Sequence, residues 1–208
     1  VDMLNLRKKH FGEQHPKTVQ GIAVLGMLYH DLGRYDKAEP LMVSALKLSK
    51  IVFGEYDDRT FSCMANLALL YQDQERFELA QSLSEEVLRL KQKHLGEKNP
   101  STLVSMGNLA LAYQVRGYCA SAEKLWLKTL PLDMEVLGEQ HPSTLSSMAN
   151  LASVYVNQGR YDLAEPLSIK SLTLRKQVLG VGHPMTLVSM NNLATLYKHQ
   201  KRYKEAES

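Results

Sequence analysis

The chain has 208 residues, 25 Lys and Arg against 22 Asp and Glu, a formal net charge of +3 and 44% hydrophobic residues. That is the balance of an ordinary folded chain; so small a charge gives nucleic acid no electrostatic footprint, and none is expected as a partner. No stretch approaches the roughly 18–20 continuous apolar residues of a membrane helix, so no membrane insertion is expected. Val1-Asp2-Met3-Leu4 lacks the basic-then-apolar layout of a signal peptide. Cys63 and Cys119 form no CxxC pair and read as reduced thiols of a cytoplasmic, intracellular protein.

Internal repetition dominates the rest. Gly12, Gly54, Gly96, Gly138 and Gly180 recur with a constant step of 42 residues, and so do Tyr29, Tyr71, Tyr113, Tyr155 and Tyr197. In chain order, residues 1–11 read as the tail of a preceding second helix, because Leu6, Phe11 and Gly12 match Leu48, Phe53 and Gly54. In repeat 12–53, Pro16 suits the first turn of a helix A over 16–31, where a missing N–H costs nothing. Gly33 ends it, and Asp36 with Glu39 has capping-box spacing for a helix B carrying Ala38, Leu41, Leu46 and Leu48 to about Phe53.

Repeat 54–95 places helix A over 58–73, with Met64, Leu67, Ala68 and Tyr71 on one stripe at i, i+3, i+4 and i+7. Repeat 96–137 predicts helix A over 100–115 and a helix B holding Pro131 where other repeats have Lys47, Arg89 and Thr173. A kink between Leu127 and Pro131 is expected there, with the helix resuming through Leu132 and Val136. Repeat 138–179 predicts helix A over 142–157, the turn at Gly159, and Asp162 with Glu165 opening helix B. The last repeat, 180–208, has helix A over 184–199 and stops at Ser208 just after a helix B has begun. Each helix pair shares a seam that it cannot bury alone, so stacking gives an all-α solenoid of antiparallel pairs in one array over 1–208. The absence of polar capping helices reads as a piece of a longer array.

Asn66-Leu67-Ala68-x-x-Tyr71, with Ala80 nine residues on, resembles the tetratricopeptide signature of Leu-Gly-x-x-Tyr followed by Ala. The usual period is about 34 residues, and the longer period here adds about two turns to helix B. Together with Gly-x-x-His-Pro-x-Thr between repeats, this resembles kinesin light chain repeats; similar repeats also occur as C-terminal arms of multidomain signalling ATPases. One register differs: where kinesin light chains usually carry a second Asn, this chain has Ala23, Ala65, Gly107, Ala149 and once Asn191. The resemblance implies a right-handed superhelix whose helices A line a concave groove.

Opposite the buried stripe stand Asn66, Asn108, Asn150 and Asn192, with Val24 in the first repeat. An amide offers donors and an acceptor to a peptide backbone, so this column is a candidate ladder for an extended segment; the alternative is bonding between neighbouring helices. Flanking it are Ser62, Val104 and Ser146 one turn earlier, and Leu69, Leu111 and Ser153 one turn later. The tyrosines Tyr71, Tyr113 and Tyr155 are expected mostly inside, and Asn108 and Asn150 at least partly exposed. The methionine column at Met64, Met106, Met148 and Met190 reads as packing, since Ile22 shares its register. His15, His141 and His183 lie in separate loops, too far apart along the stack to form a metal site. Arg34, Arg76, Arg160 and Arg202 are expected to be solvated or to cap helix A, the basic clusters at Arg7-Lys8-Lys9 and Arg89 to Lys93 to face outward, and Trp126 to be a local plug in the register of Met42 and Ser84.

No nucleophile–base pair, phosphate loop or metal spacing appears, so neither enzymatic activity nor a cofactor nor a metal is expected. The expected function is an interaction scaffold binding a protein or peptide in the groove. The rival is a regulatory arm of a signalling ATPase that packs against its own protein or another copy, which would involve self-association.

Overall fold

The computed structural model describes residues 2–207; the expectations for Val1 and Ser208 fall outside them. Among the described residues there are eleven helices and no strand. They are α1 (Asp2–Phe11), α2 (Pro16–Asp31), α3 (Tyr35–Val52), α4 (Asp58–Asp73), α5 (Phe77–Leu95), α6 (Pro100–Val115), α7 (Cys119–Leu137), α8 (Pro142–Asn157), α9 (Tyr161–Leu179), α10 (Pro184–His199) and α11 (Tyr203–Ala206). The five helices A, α2, α4, α6, α8 and α10, take the bounds that the repeat predicts.

The chain divides into two compact units, one through His94 and one from Leu95. In the first, α1 packs on α2, α2 on α3 and α3 on α4, and the helices A, α2 and α4, are direct neighbours. Its core joins Ala38, Met42, Leu67 and Leu70, with Ile22, Ala45 and Cys63 beside them. Gly26 permits a close approach here: a Cβ would come within 2.9 Å of Met42 Cγ. In the second unit α6 to α11 pack in chain order, with α6 beside α8 and α8 beside α10. Ala110, Trp126, Leu130, Met148, Leu151, Val154, Tyr155 and Leu196 form a single core cluster there. Met64, Met106 and Met148 are fully buried, the packing role their register suggests.

The motif between repeats is a helix-start device. Pro16, Pro100, Pro142 and Pro184 occupy the first turn, and the residue before each caps it: Nδ1 of His15, His141 and His183 accepts from the amide two residues on. Asp57 and Asn99 do the same with Oδ1. Thr60 and Thr144, both fully buried, donate Oγ1–H to the carbonyls of Gly54 and Gly138 at 2.7 Å. These bonds satisfy polar groups that burial would otherwise leave costly.

Helix B starts differently from the sequence expectation. Helix α3 begins at Tyr35 after Arg34, and α9 at Tyr161 after Arg160, with no side-chain cap bond at either. Glu39 and Glu165 instead reach the turn of the following repeat. Glu39 accepts from Arg76 Nη1 at 2.6 Å and Gln74 Nε2 at 3.1 Å. Glu123 takes Arg160 and Gln158, and Glu165 takes Arg202 and Gln200, in the same way. Each of these three arginines also lies over its own repeat's tyrosine: Arg76 on Tyr71, Arg160 on Tyr155 and Arg202 on Tyr197, at 4.4–4.7 Å from the ring centroid. They are inter-repeat struts, with Arg76 and Arg160 still exposed, as Arg34 is. Tyr155 is buried as expected, whereas Tyr71 and Tyr113 are only half-buried.

Helix α7 continues through Pro131 to Leu137, so the helix does resume as expected. Pro40 and Pro166 are likewise inside α3 and α9. The outward-facing reading of the basic clusters holds for Lys8 and Arg89 but fails at two positions. Arg7 is half-buried and donates to the Lys17 carbonyl, and Lys91 is half-buried over the Phe61 ring.

Candidate functional site

The asparagine register emerges on the accessible side of the helix A layer. Asn108, Asn191 and Asn192 are exposed, and Asn66 and Asn150 half-exposed. The helical period produces this, since the residues facing helix B are Leu109, Leu151 and their equivalents. Among the described residues, none of these five amides has a hydrogen-bond partner in the fold.

In the first unit, Ser62 and Leu69 flank Asn66 on α4 and are both exposed. Ser62 turns its hydroxyl back onto the Asp58 carbonyl, 2.8 Å away. In the second unit the candidate residues converge on two depressions. The first, a cavity of about 280 Å³ between α6 and α8, is lined by Val104, Asn108, Leu111, Ser146 and Asn150. Its floor comes from helix B, through Trp126 and Asp133. The second, about 150 Å³ between α8 and α10, is bordered by Ser153 and Asn192 over Ser168 and Ser171 of α9. Asn191 borders neither.

Trp126 is a plug, as its register suggests: it is 2% exposed, and its ring edge stands 3.4 Å from where a Gly107 Cβ would be. Gly107 therefore makes room for an indole beneath the groove. The plug is not polar-neutral, since Trp126 Nε1 has no acceptor.

Two further residues escape a reading of helix A alone. Asp133 is 2% exposed and accepts one hydrogen bond, from Ser147 Oγ at 2.6 Å. Burial pushes its carboxyl above the usual range, with the Ser147 bond and the charge of His141 acting against the rise. Arg175 is equally buried and donates to Ser189 Oγ, to the Met185 carbonyl and, at 3.4 Å, to Ser146 Oγ. Burial lowers its pKa, and no carboxylate accompanies it among the described residues. Asp133 and Arg175 share one register of helix B with Ser49 and Lys91. A polar residue of changing identity on an otherwise apolar helix face was the available signal.

Among the described residues, no three His, Cys, Asp or Glu side chains gather as a metal site. None of the described helices is long and apolar enough to cross a membrane.

A tetratricopeptide repeat model matches residues 18–93, 60–117 and 148–208, and a second model of the same description matches 102–143. No curated protein sequence matches the chain significantly. The structure is similar to nearly identical TPR-like repeats assigned to a kinesin light chain of Podosopora anserina, at 26% identity over 93% of this chain and 92% of that one, with a TM-score of 0.78. It is also similar to BtubC (BKLC) from P. vanneervenii, at 23% identity over 99% and 82% of the two chains, with a TM-score of 0.83. A Rap protein complexed with Competence and Sporulation Factor shares the fold alone, at 13% identity over 99% of this chain and 55% of that one, with a TM-score of 0.69. With its matched repeats and its consecutive helix pairs, the chain belongs to the tetratricopeptide repeat family, in the kinesin light chain-like variety.

Proposed function

We propose that the second unit binds an extended peptide segment of a partner protein across α6, α8 and α10, with Asn108, Asn150 and Asn192 as rungs of a hydrogen-bonding ladder. The tetratricopeptide array is a protein–protein interaction scaffold. The observation that carries the finer reading is that these amides are accessible yet unpartnered within the fold. A side chain that only stapled neighbouring helices would spend its amide on them. Helices packed about 10 Å apart place one rung for roughly every three residues of extended chain. Flanking the first rung on α6, Val104 and Leu111 are 55% and 39% exposed and give an apolar seat to the segment's centre. Asn66, with Ser62 and Leu69, offers an equivalent surface on α4 of the first unit.

The test is selection of a displayed random heptapeptide library on the whole chain and on an Asn108→Ala/Asn150→Ala variant. Each amide–backbone hydrogen bond contributes about 1 kcal/mol net, so recovered peptides should bind the variant roughly tenfold to a hundredfold more weakly, with its thermal midpoint unchanged. Peptides held equally well by both proteins would refute the groove.

A further inference from the structure

The floor of the α6–α8 cavity has an unusual inventory. Asp133 and Trp126 are each 2% exposed, yet both line a cavity that opens between the helices A. An ionised carboxylate can accept about four hydrogen bonds, and Asp133 receives one. Trp126 Nε1 donates to nothing. Buried polar groups are ordinarily satisfied, and a buried charge is ordinarily paired.

Among the described residues, no cation fills this need. Arg175 commits its guanidinium to Ser189, Met185 and Ser146. His141, whose charge acts on Asp133 from the start of α8, has its Nδ1 occupied by the Ser143 amide. Lys128 pairs with Glu97, and Lys98 with Glu135, both at the exposed surface. Leu103, Val104, Leu111 and Leu137 supply the apolar part of the wall, beside Asn108, Ser146 and Asn150.

We infer that this cavity is a specificity pocket for a lysine or arginine side chain of the segment bound in the groove, with Asp133 meeting the cationic head and Trp126 forming the aromatic floor. The inference rests on the peptide-binding reading above and names the chemistry of the partner it selects. The apolar part of the wall covers the methylene stem that such side chains bury readily. A cavity of about 280 Å³ is below the usual range for a small-molecule site, and is suited to one side chain. The raised pKa of Asp133 agrees with this, because a carboxylate desolvated by burial is stabilised by an arriving cation.

The same heptapeptide library tests it, with Asp133→Asn as the variant, which keeps the shape and an acceptor for Ser147. The wild-type chain should enrich Lys or Arg at one fixed position of the selected peptides. Asp133→Asn should lose that enrichment by roughly tenfold or more, while still retaining peptides through Asn108 and Asn150. Should Asp133→Asn fail to fold, as judged by circular dichroism, Asp133→Ser replaces it, because the same register holds Ser49. Peptides that depend on Asn108 and Asn150 but show no basic preference, or an acidic or neutral one, overturn the pocket and leave the groove. A basic preference that survives in the Asp133 variant also overturns it. If no selected peptide depends on Asn108 and Asn150, the groove itself fails and the pocket with it.

Discussion

Asp57 combines two duties, capping α4 through the Arg59 amide and pairing with the Arg59 guanidinium. The side-chain bond from Arg59, followed by its amide, lowers the Asp57 pKa to about 2. An unfolded aspartate titrates near 3.9. The contribution is therefore present above about pH 4 and is lost as the pH falls through the folded value of about 2. Asp57→Asn keeps the capping acceptor and removes the charge, so its acid-unfolding curve between those values should be flatter than that of the wild-type chain. Equal slopes would show that the pairing has no energetic weight. The three capping histidines stand in the same register as Asp57 and Asn99, both strong cap formers. A second residue-scale case is Glu75, whose φ of 59° sits where Gly33, Gly117 and Gly159 take the same left-handed turn. A left-handed non-glycine residue costs roughly 1–2 kcal/mol, partly offset by glycine's unfolded-state entropy. Glu75→Gly should raise the thermal midpoint, whereas Gly159→Ala should lower it.

At the scale of the element, α7 shows how far packing overrides propensity. Pro131 cannot donate to the Leu127 carbonyl, yet the helix extends from Cys119 to Leu137. The residues on either side explain why: Leu130 and Asp133 are buried, while Pro131 itself is exposed. Core contacts thus hold the segment helical, and the proline falls on the solvent face. Pro131→Ala should then restore a hydrogen bond without disturbing the core and raise stability by about 1–3 kcal/mol, read as a higher urea midpoint. No change would mean that the backbone there has already relaxed around the ring. Helix B starts were less legible than helix A starts. Asp36 and Glu39 satisfy a capping spacing, but one capping bond is worth about 1 kcal/mol, and the charged pair with Arg76 competes for Glu39.

For the whole molecule, the recurring stabiliser between repeats is the Glu–Arg–Tyr strut, present as Glu39–Arg76 in the first unit and as Glu123–Arg160 and Glu165–Arg202 in the second. Partly exposed pairs of this kind contribute about 0.2–1 kcal/mol. A double-mutant cycle on Glu123→Ala and Arg160→Ala should give a coupling of that size, smaller at high salt. The Glu39, Glu123 and Glu165 pKa values are all lowered, by the Arg76 bond, the Gln158 bond and the Arg202 bond respectively. Their joint contribution is present above the unfolded value near 4.3 and fades as the pH drops through the lower folded values. Unfolding that is no more acid-sensitive in the wild-type chain than in the Glu123→Ala variant would exclude a role for that strut. Stability and binding should separate cleanly, because the struts lie at the A–B turns while Asn108 and Asn150 have no bonds to lose.

The sequence by itself determined the all-α repeat, the bounds of every helix A, the burial of the methionine stripe and the accessibility of the asparagines. All of these follow from local periodicity: the 3.6-residue helical period sorts faces, and proline after a cap residue sets starts. Only the tertiary structure decided which groups meet across repeats. Glu39 and Arg76 are 37 positions apart, and a spacing that long has no local geometry to constrain it. The same holds for the floor of the groove. Trp126 and Asp133 belong to helix B, and a wheel drawn on helix A cannot show that Gly107 leaves room for the indole. Nor can it show that α8 brings Ser147 to a carboxylate the core has otherwise left alone.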